Sequence, residues 1–109
     1  MQQVHVTEVA RFCSGQDMPV LLDVREPWEV ALAAIRVDGA RALHIPMGQI
    51  PTRLDEIDAG RPVICICHHG VRSAQVVAFL LRSGFDSVYN LSGGIDAWSL
   101  AVDAGVPRY

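Results

Sequence analysis

Three apolar runs with few polar interruptions stand out along the chain, at residues 19–24, 61–67 and 87–91. Each predicts a β-strand, and the first two lack the alternation of polar and apolar positions that marks a sheet with one solvent-exposed face, so they are expected to be covered on both sides. The run at 61–67, RPVICIC, is rich in β-branched residues and is predicted to lie centrally. Weaker strand patterns occupy residues 4–6 and 40–46, and Pro46 ends the second of these.

Helical patterns alternate with these strands. A cap at Thr7 predicts a short helix through Phe12, and Pro27 predicts a helix start that leads into WEVALAAI. Residues 49–57 indicate a short helix or two turns. From Ser73, apolar positions recur at helical spacing until Gly84, a left-handed C-terminal cap, and a last helix follows the GG pair. The alternation predicts an α/β fold, a parallel sheet with helices on both faces, as a single domain over residues 1–109.

Composition narrows the classes of partner. The chain has 109 residues, of which 50% are hydrophobic and 19% charged, so it has enough apolar surface for one core. A net charge of −3 without a basic cluster argues against nucleic acid. The first residues, MQQVHVTEVARF, do not resemble a secretion leader, and no apolar run is long enough to cross a bilayer. We therefore expect a cytoplasmic protein that binds no membrane.

The three cysteines, Cys13, Cys65 and Cys67, are odd in number, and their spacing matches no disulfide framework or zinc ligand set. We expect three free thiols. Cys13 and Cys65 are interpreted as packing residues. A bridge between Cys65 and Cys67 is geometrically awkward, because residues two apart on a strand are separated by about 6.6 Å, near the upper limit for a disulfide.

The stretch CHHGVRS, residues 67–73, carries the candidate chemistry. Cys67 ends the central strand, at the sheet edge where parallel α/β folds place their sites. A loop that runs from there into a helix turns backbone N–H groups inward, and Gly70 lets it curl. Those N–H groups, the helix dipole and the Arg72 charge all favour the thiolate over the thiol. Cys67 is therefore predicted to be a nucleophile.

The neighbouring histidines leave two interpretations open. Either His68 or His69 is partly protonated and adds positive charge beside the thiolate, or both are solvated loop residues. Zinc binding is not expected, because adjacent side chains in a curled loop diverge and no other ligand cluster accompanies them, so we predict no metal.

The segment DVRE follows the second strand and reaches the same edge of the sheet. Asp23 and Glu26 are interpreted as a local ion-pair and capping group, whereas Arg25 is expected to add positive field at the mouth of the pocket. Trp28 and Trp98 are interpreted as core or rim aromatics without a chemical role.

These residues resemble the rhodanese family of single-domain sulfurtransferases. The resemblance rests on LLDVREPWE, HIPMGQIPTRL, CHHGVRS and VYNLSGGIDAW, and covers nearly the whole chain. It implies a rhodanese-like, five-stranded, mainly parallel sheet flanked by helices, and sulfur transfer without a cofactor. It also implies that Cys67 is the catalytic cysteine and that the transferred sulfur is held by the loop residues His68, His69, Gly70, Val71 and Arg72.

The activity implied is ping-pong transfer. The Cys67 thiolate attacks the sulfane sulfur of an anionic donor such as thiosulfate, sulfite leaves, and cyanide or a thiol removes the sulfur from the resulting persulfide. Arg72 either clamps the donor or braces the loop. A protein could also supply or receive the sulfur.

Two alternatives and one departure qualify this resemblance. The chain could be a carrier or binding module that passes sulfur between proteins with little small-molecule turnover. Arsenate reductases and phosphatases have a related loop, but theirs places five residues between cysteine and arginine, and here there are four. Residues 33–40 depart from the common family pattern, so acceptor preference in that part of the wall is open.

Overall fold

The computed structural model describes residues 2–15 and 18–109, and within them it shows a five-stranded sheet in the order β1-β5-β4-β2-β3. Every neighbouring pair is parallel, so the predicted α/β arrangement with 61–67 at the centre is confirmed. The strands are β1 (Gln3–Val4), β2 (Val20–Asp23), β3 (Arg41–His44), β4 (Val63–Ile66) and β5 (Val88–Leu91).

The helices are α1 (Val9–Ser14), α2 (Pro27–Leu32), α3 (Val71–Arg82) and α4 (Gly94–Ala101). Short 3-10 turns form at Val6–Glu8, Met47–Thr52 and Leu54–Glu56. Of the short helix or two turns predicted for residues 49–57, the two turns are therefore observed. Across residues 2–15 and 18–109, none of the helices combines the length and apolar character needed to span a bilayer.

Alternation along β4 divides the core into two layers. Val63, Cys65 and Cys67 pack with the α3 side chains, whereas Ile64 and Ile66 pack in a second cluster with residues of α1 and α4. Residues i and i+2 of a strand share a face, so Cys67 lies on the α3 side of the sheet. This places its sulfur beneath the first turn of α3.

The N-terminal segment differs from the prediction. The strand ends at Val4, and Val6 already belongs to a 3-10 turn. The cap is His5, whose Nδ1 accepts the Thr7 backbone N–H at 3.3 Å, while Glu8 Oε1 accepts the His5 N–H at 3.0 Å. The prediction that Thr7 is the cap was therefore wrong. The Thr7 N–H is itself one of the donors that the cap residue, His5, satisfies.

Two helix ends also differ. α2 stops at Leu32 rather than continuing through WEVALAAI, and Ala33 turns extended while its carbonyl accepts from Arg25 Nη2 at 2.6 Å. α3 begins at Val71, two residues earlier than predicted, so Val71 and Arg72 form its first turn. At its other end Gly84 has φ +100°, as the predicted left-handed cap requires.

Candidate functional site

Cys67 follows β4 at the carboxyl edge of the sheet and is 1% exposed. Its Sγ accepts a hydrogen bond from the Gly70 backbone N–H at 3.0 Å. Gly70 has φ +104°, a left-handed conformation in which a side chain would be strained, and this is the turn that brings its N–H back over the sulfur. The tight curl expected from the sequence is thus present.

The loop carbonyls are held by α4. The Ile95 N–H donates to the Cys67 carbonyl at 2.9 Å, and the Asp96 N–H donates to the His68 carbonyl at 3.1 Å. In a trans peptide the next N–H points opposite to the carbonyl, so the His68 and His69 amides are directed away from α4. These two amides, rather than the two carbonyl oxygens before them, are therefore available to an anion on the side of the loop away from α4.

Gly94 makes that attachment possible. A Cβ built on this residue would lie 2.4 Å from the Cys67 carbonyl oxygen and 2.5 Å from the His68 carbonyl oxygen. Its φ of +62° also disfavours any residue with a side chain. The start of α4 can approach the loop this closely only because residue 94 is glycine.

Two buried polar side chains beside the sulfur were not predicted. Ser73 Oγ lies 3.3 Å from Cys67 Sγ and also hydrogen-bonds Asn90 Oδ1, while Asn90 Nδ2 donates to the Gly70 carbonyl at 3.0 Å. A hydroxyl has one proton, so Ser73 can donate to Asn90 while a thiol donates to Oγ, or donate to a thiolate instead. The hydroxyl can therefore accommodate either form of the cysteine.

Arg72 is engaged by Glu29 of α2. Its Nη1 and Nη2 donate to the two Glu29 carboxylate oxygens at 2.7 and 2.8 Å. These hydrogen bonds lower the pKa of Glu29 to about 2, and the same bonds raise the pKa of Arg72. This contact ties the first turn of α3 to α2, and the role of Arg72 toward a donor stays a prediction. Glu29 itself was not predicted to have a role.

Arg25 does not stand at a pocket mouth, and that prediction was wrong. The side chain is fully buried, and its Nη2 donates to Asp23 Oδ2 at 2.7 Å and to the Ala33 carbonyl at 2.6 Å. A buried guanidinium needs acceptors around it, and the end of α2 supplies them. Asp23 forms the expected ion pair, and Glu26 occupies the N-cap of α2.

An aromatic stack covers the first loop residue. The His68 ring lies between His69 and Tyr109, with both centroid separations 4.0 Å, so the prediction that the two histidine side chains diverge was wrong. Burial lowers the pKa of His68, which favours its neutral form, so this imidazole does not fit the interpretation in which it adds positive charge. His69 is exposed, and its role stays a prediction. Tyr109 is distant in sequence from the loop and was not predicted.

The other residues singled out lie apart from the loop's interior. Cys65 is fully buried, and burial raises its pKa to about 12, while Cys13 lies half-buried on α1 with its pKa also raised by burial. Trp98 is in the core and Trp28 is 63% exposed. In the described part of the chain, no group of three or more His, Cys, Asp or Glu side chains is arranged to hold a metal ion.

The close approach at Gly94 generates a stability prediction. Replacing Gly94 by Ala places a methyl group against two backbone carbonyls, so we expect it to lower the free energy of unfolding by about 2–4 kcal/mol. Urea denaturation measures this loss. Gly48→Ala is the matched control, because a Cβ there meets nothing within 4 Å. Equal losses for the two variants would contradict the account of the α4 attachment.

The Glu29–Arg72 pair generates a pH prediction. The folded-state pKa of Glu29 is depressed to about 2, so its stabilisation is present above its unfolded pKa of about 4.5 and is lost as pH falls toward 2. We expect the stability advantage of the native chain over Glu29→Gln, about 2 kcal/mol at pH 6, to shrink over that window. Urea midpoints at pH 6, 4 and 3 test this, and an advantage that does not change with pH would contradict it.

Most of the chain matches one known protein family. The rhodanese-like domain family matches residues 6–101. A sulfurtransferase of Allochromatium vinosum is 42% identical over 89 residues, which cover 82% of this chain and 78% of that protein. The thiosulfate sulfurtransferase GlpE of Actinobacillus pleuropneumoniae serotype 3 is 40% identical over 87 residues, which cover 67% of this chain and 80% of that protein.

Two solved structures have a fold similar to that of this chain. A rhodanese-like domain protein from Staphylococcus aureus has a TM-score of 0.81 and 30% identity, over 100% of this chain and 99% of that one. The polysulfide-sulfur transferase homodimer of Wolinella succinogenes has a TM-score of 0.72 and 27% identity, over 100% of this chain and 78% of that one. The loop on which the resemblance rested thus sits in the expected fold, and the chain belongs to the rhodanese-like sulfurtransferase family.

Proposed function

We propose that this protein transfers a sulfane sulfur through a persulfide on Cys67, from thiosulfate or a persulfide donor to cyanide or a thiol. The observation that carries the proposal is the Gly70 N–H directed at Cys67 Sγ at 3.0 Å. Fixed backbone donors aimed at a sulfur stabilise negative charge there without reorganisation. The same charge exists on the thiolate before transfer and on the outer sulfur of the persulfide after it.

The reaction needs no outside oxidant or reductant. The Cys67 thiolate attacks the sulfane sulfur, the S–S bond of thiosulfate breaks, and its electron pair leaves with sulfite. The acceptor then attacks the outer sulfur of the persulfide and restores the Cys67 thiolate, so cyanide yields thiocyanate and a thiolate yields a persulfide. Ser73, 3.3 Å from Sγ, can donate its hydroxyl proton to the anionic sulfur.

The size of the loop supports sulfur as the cargo. Four residues separate Cys67 from Arg72, and Cys67 is 1% exposed. An S–S bond of about 2.05 Å would carry the outer sulfur away from the floor, toward the loop amides. Because both terminal nitrogens of Arg72 donate to Glu29, we assign recognition of the donor's negative charge to backbone N–H groups rather than to Arg72.

The donor is proposed from the names of two relatives. The acceptor is proposed because cyanide and thiolates attack the outer sulfur of a persulfide. The name of the Actinobacillus protein supports thiosulfate, and that of the Wolinella protein supports a polysulfide. Transfer between proteins is the second candidate, because Val71, in the first turn of α3 above the sulfur, is 71% exposed and could contact another chain.

Intact-mass spectrometry tests the reaction class. After brief exposure to thiosulfate, we expect the mass to rise by one sulfur and to return on adding cyanide, because the persulfide forms and is then consumed. Cys67→Ser should show no gain, and Cys13→Ser, the matched control, should behave like the native chain. A gain retained by Cys67→Ser would contradict Cys67 as the carrier. If no gain occurs with thiosulfate, the same measurement with a polysulfide decides whether only the donor was misassigned.

Hydrolytic activity provides a second test. A loop with four residues between cysteine and arginine is expected to fit a tetrahedral phosphoryl group poorly, so turnover of an aryl phosphate should be at least a thousandfold below that of thiosulfate. Parallel assays on one preparation, each repeated with Cys67→Ser to subtract contaminants, measure the ratio. Comparable turnover of the two substrates would support the phosphatase alternative.

A further inference from the structure

We propose that Tyr109 is a positioning residue that holds the sulfur-binding loop at both ends, an inference that rests on the proposed function of Cys67. Its ring contacts the first residue after the cysteine, and its hydroxyl reaches the carboxylate that holds the arginine at the far end. No other described side chain makes both contacts.

The first contact is the stack on His68. The Tyr109 and His68 rings are 4.0 Å apart and only 9° from parallel, and His69 covers the opposite face of the imidazole. The buried Nε2 of His68 has no hydrogen-bond partner, so no polar contact at that atom fixes the orientation of the ring. Stacking on both faces is therefore the restraint on this side chain, and Tyr109 supplies half of it.

The second contact passes through the phenol oxygen. Tyr109 Oη accepts from Arg25 Nη1 at 2.8 Å and donates to Glu29 Oε1 at 3.0 Å. Glu29 in turn binds Arg72 with both oxygens. Because one carboxylate joins the phenol to the arginine of the first turn of α3, movement of Tyr109 is transmitted to the end of the loop as well as to its beginning.

The loop needs such restraint because a backbone N–H stabilises the sulfur anion only when it points directly at the sulfur. A donor must point at sulfur within a few tenths of an ångström to stabilise the anion, and Gly70 itself adds no side-chain contact. α4 holds the Cys67 and His68 carbonyls through the backbone. Tyr109 adds an independent restraint on the side chains, so its removal should loosen the loop while the sheet stays folded.

Three variants separate positioning from general stability. Tyr109→Leu removes the stack and the phenol, and Tyr109→Phe keeps the stack. Tyr89→Leu is the matched control, because Tyr89 packs edge-on against Phe12, within the cluster on the other face of the sheet from Cys67. For each, the measurements are the thermal midpoint, the rate of Cys67 alkylation by iodoacetamide as a function of pH, and the single-turnover rate of persulfide formation, all at a temperature where the variants are folded.

Tyr109→Leu is expected to slow persulfide formation at least tenfold and to shift Cys67 alkylation to higher pH. Tyr109→Phe should lose no more than about threefold, and Tyr89→Leu should lower the thermal midpoint without changing either rate. Rates for Tyr109→Leu equal to those for Tyr89→Leu would overturn the proposal. If the native chain forms no persulfide, the proposed function fails, and the alkylation profiles still decide whether Tyr109 positions the loop.

A double-variant cycle tests the route through His68. Tyr109→Leu should change the alkylation rate of a His68→Ala chain by no more than about threefold, the loss expected for the hydroxyl alone, because the stack that it also removes is already absent. Losses that multiply in the double variant would show that Tyr109 does not act through His68, and would overturn that part of the proposal.

Discussion

Backbone hydrogen bonds between α4 and the loop after β4 are the constraint on which the site depends. By accepting from Ile95 and Asp96, the carbonyls of Cys67 and His68 are turned to one side, and the following amides are turned to the other. No charged side chain is needed to produce this polarity. It comes from the planarity of the peptide and from one glycine, Gly94, that permits the contact.

A buried ionic network supports this backbone arrangement from the side of α2. Arg25 is fully buried, and Glu29 is 3% exposed, so each would be costly to bury without partners. The cost is offset because Asp23, Arg72, Tyr109 and the carbonyls at the end of α2 supply opposite charges and hydrogen bonds. Removing one member of such a network is strongly destabilising, because it leaves a buried charge without its partner.

The central strand, the parallel sheet and the loop with Cys67 and Gly70 could be predicted because their signals are local. β-branched residues, a strand followed by a helix and a glycine at the turn all lie within a few positions of one another. The pairs that complete the site are separated by long stretches of chain, as with Arg72 and Glu29 or Tyr109 and Glu29. Periodicity carries no information about such contacts.

Asn90 left a signal, a polar side chain inside an apolar strand, but it did not identify Ser73 as the partner. The end of α2 was misplaced because Arg25 binds the Ala33 carbonyl, and tertiary contacts of that kind override helical periodicity.

The position of Cys65 has a consequence for oxidative damage. It lies two residues before Cys67 on the same face of β4, fully buried and with a pKa raised to about 12, so it is not available as a thiolate at neutral pH. Cys13, the remaining cysteine, packs in the cluster on the other side of the sheet. Were peroxide to convert Cys67 to a sulfenic acid, neither Cys65 nor Cys13 would be placed to act as the resolving thiol, and recovery would require a reductant from another molecule.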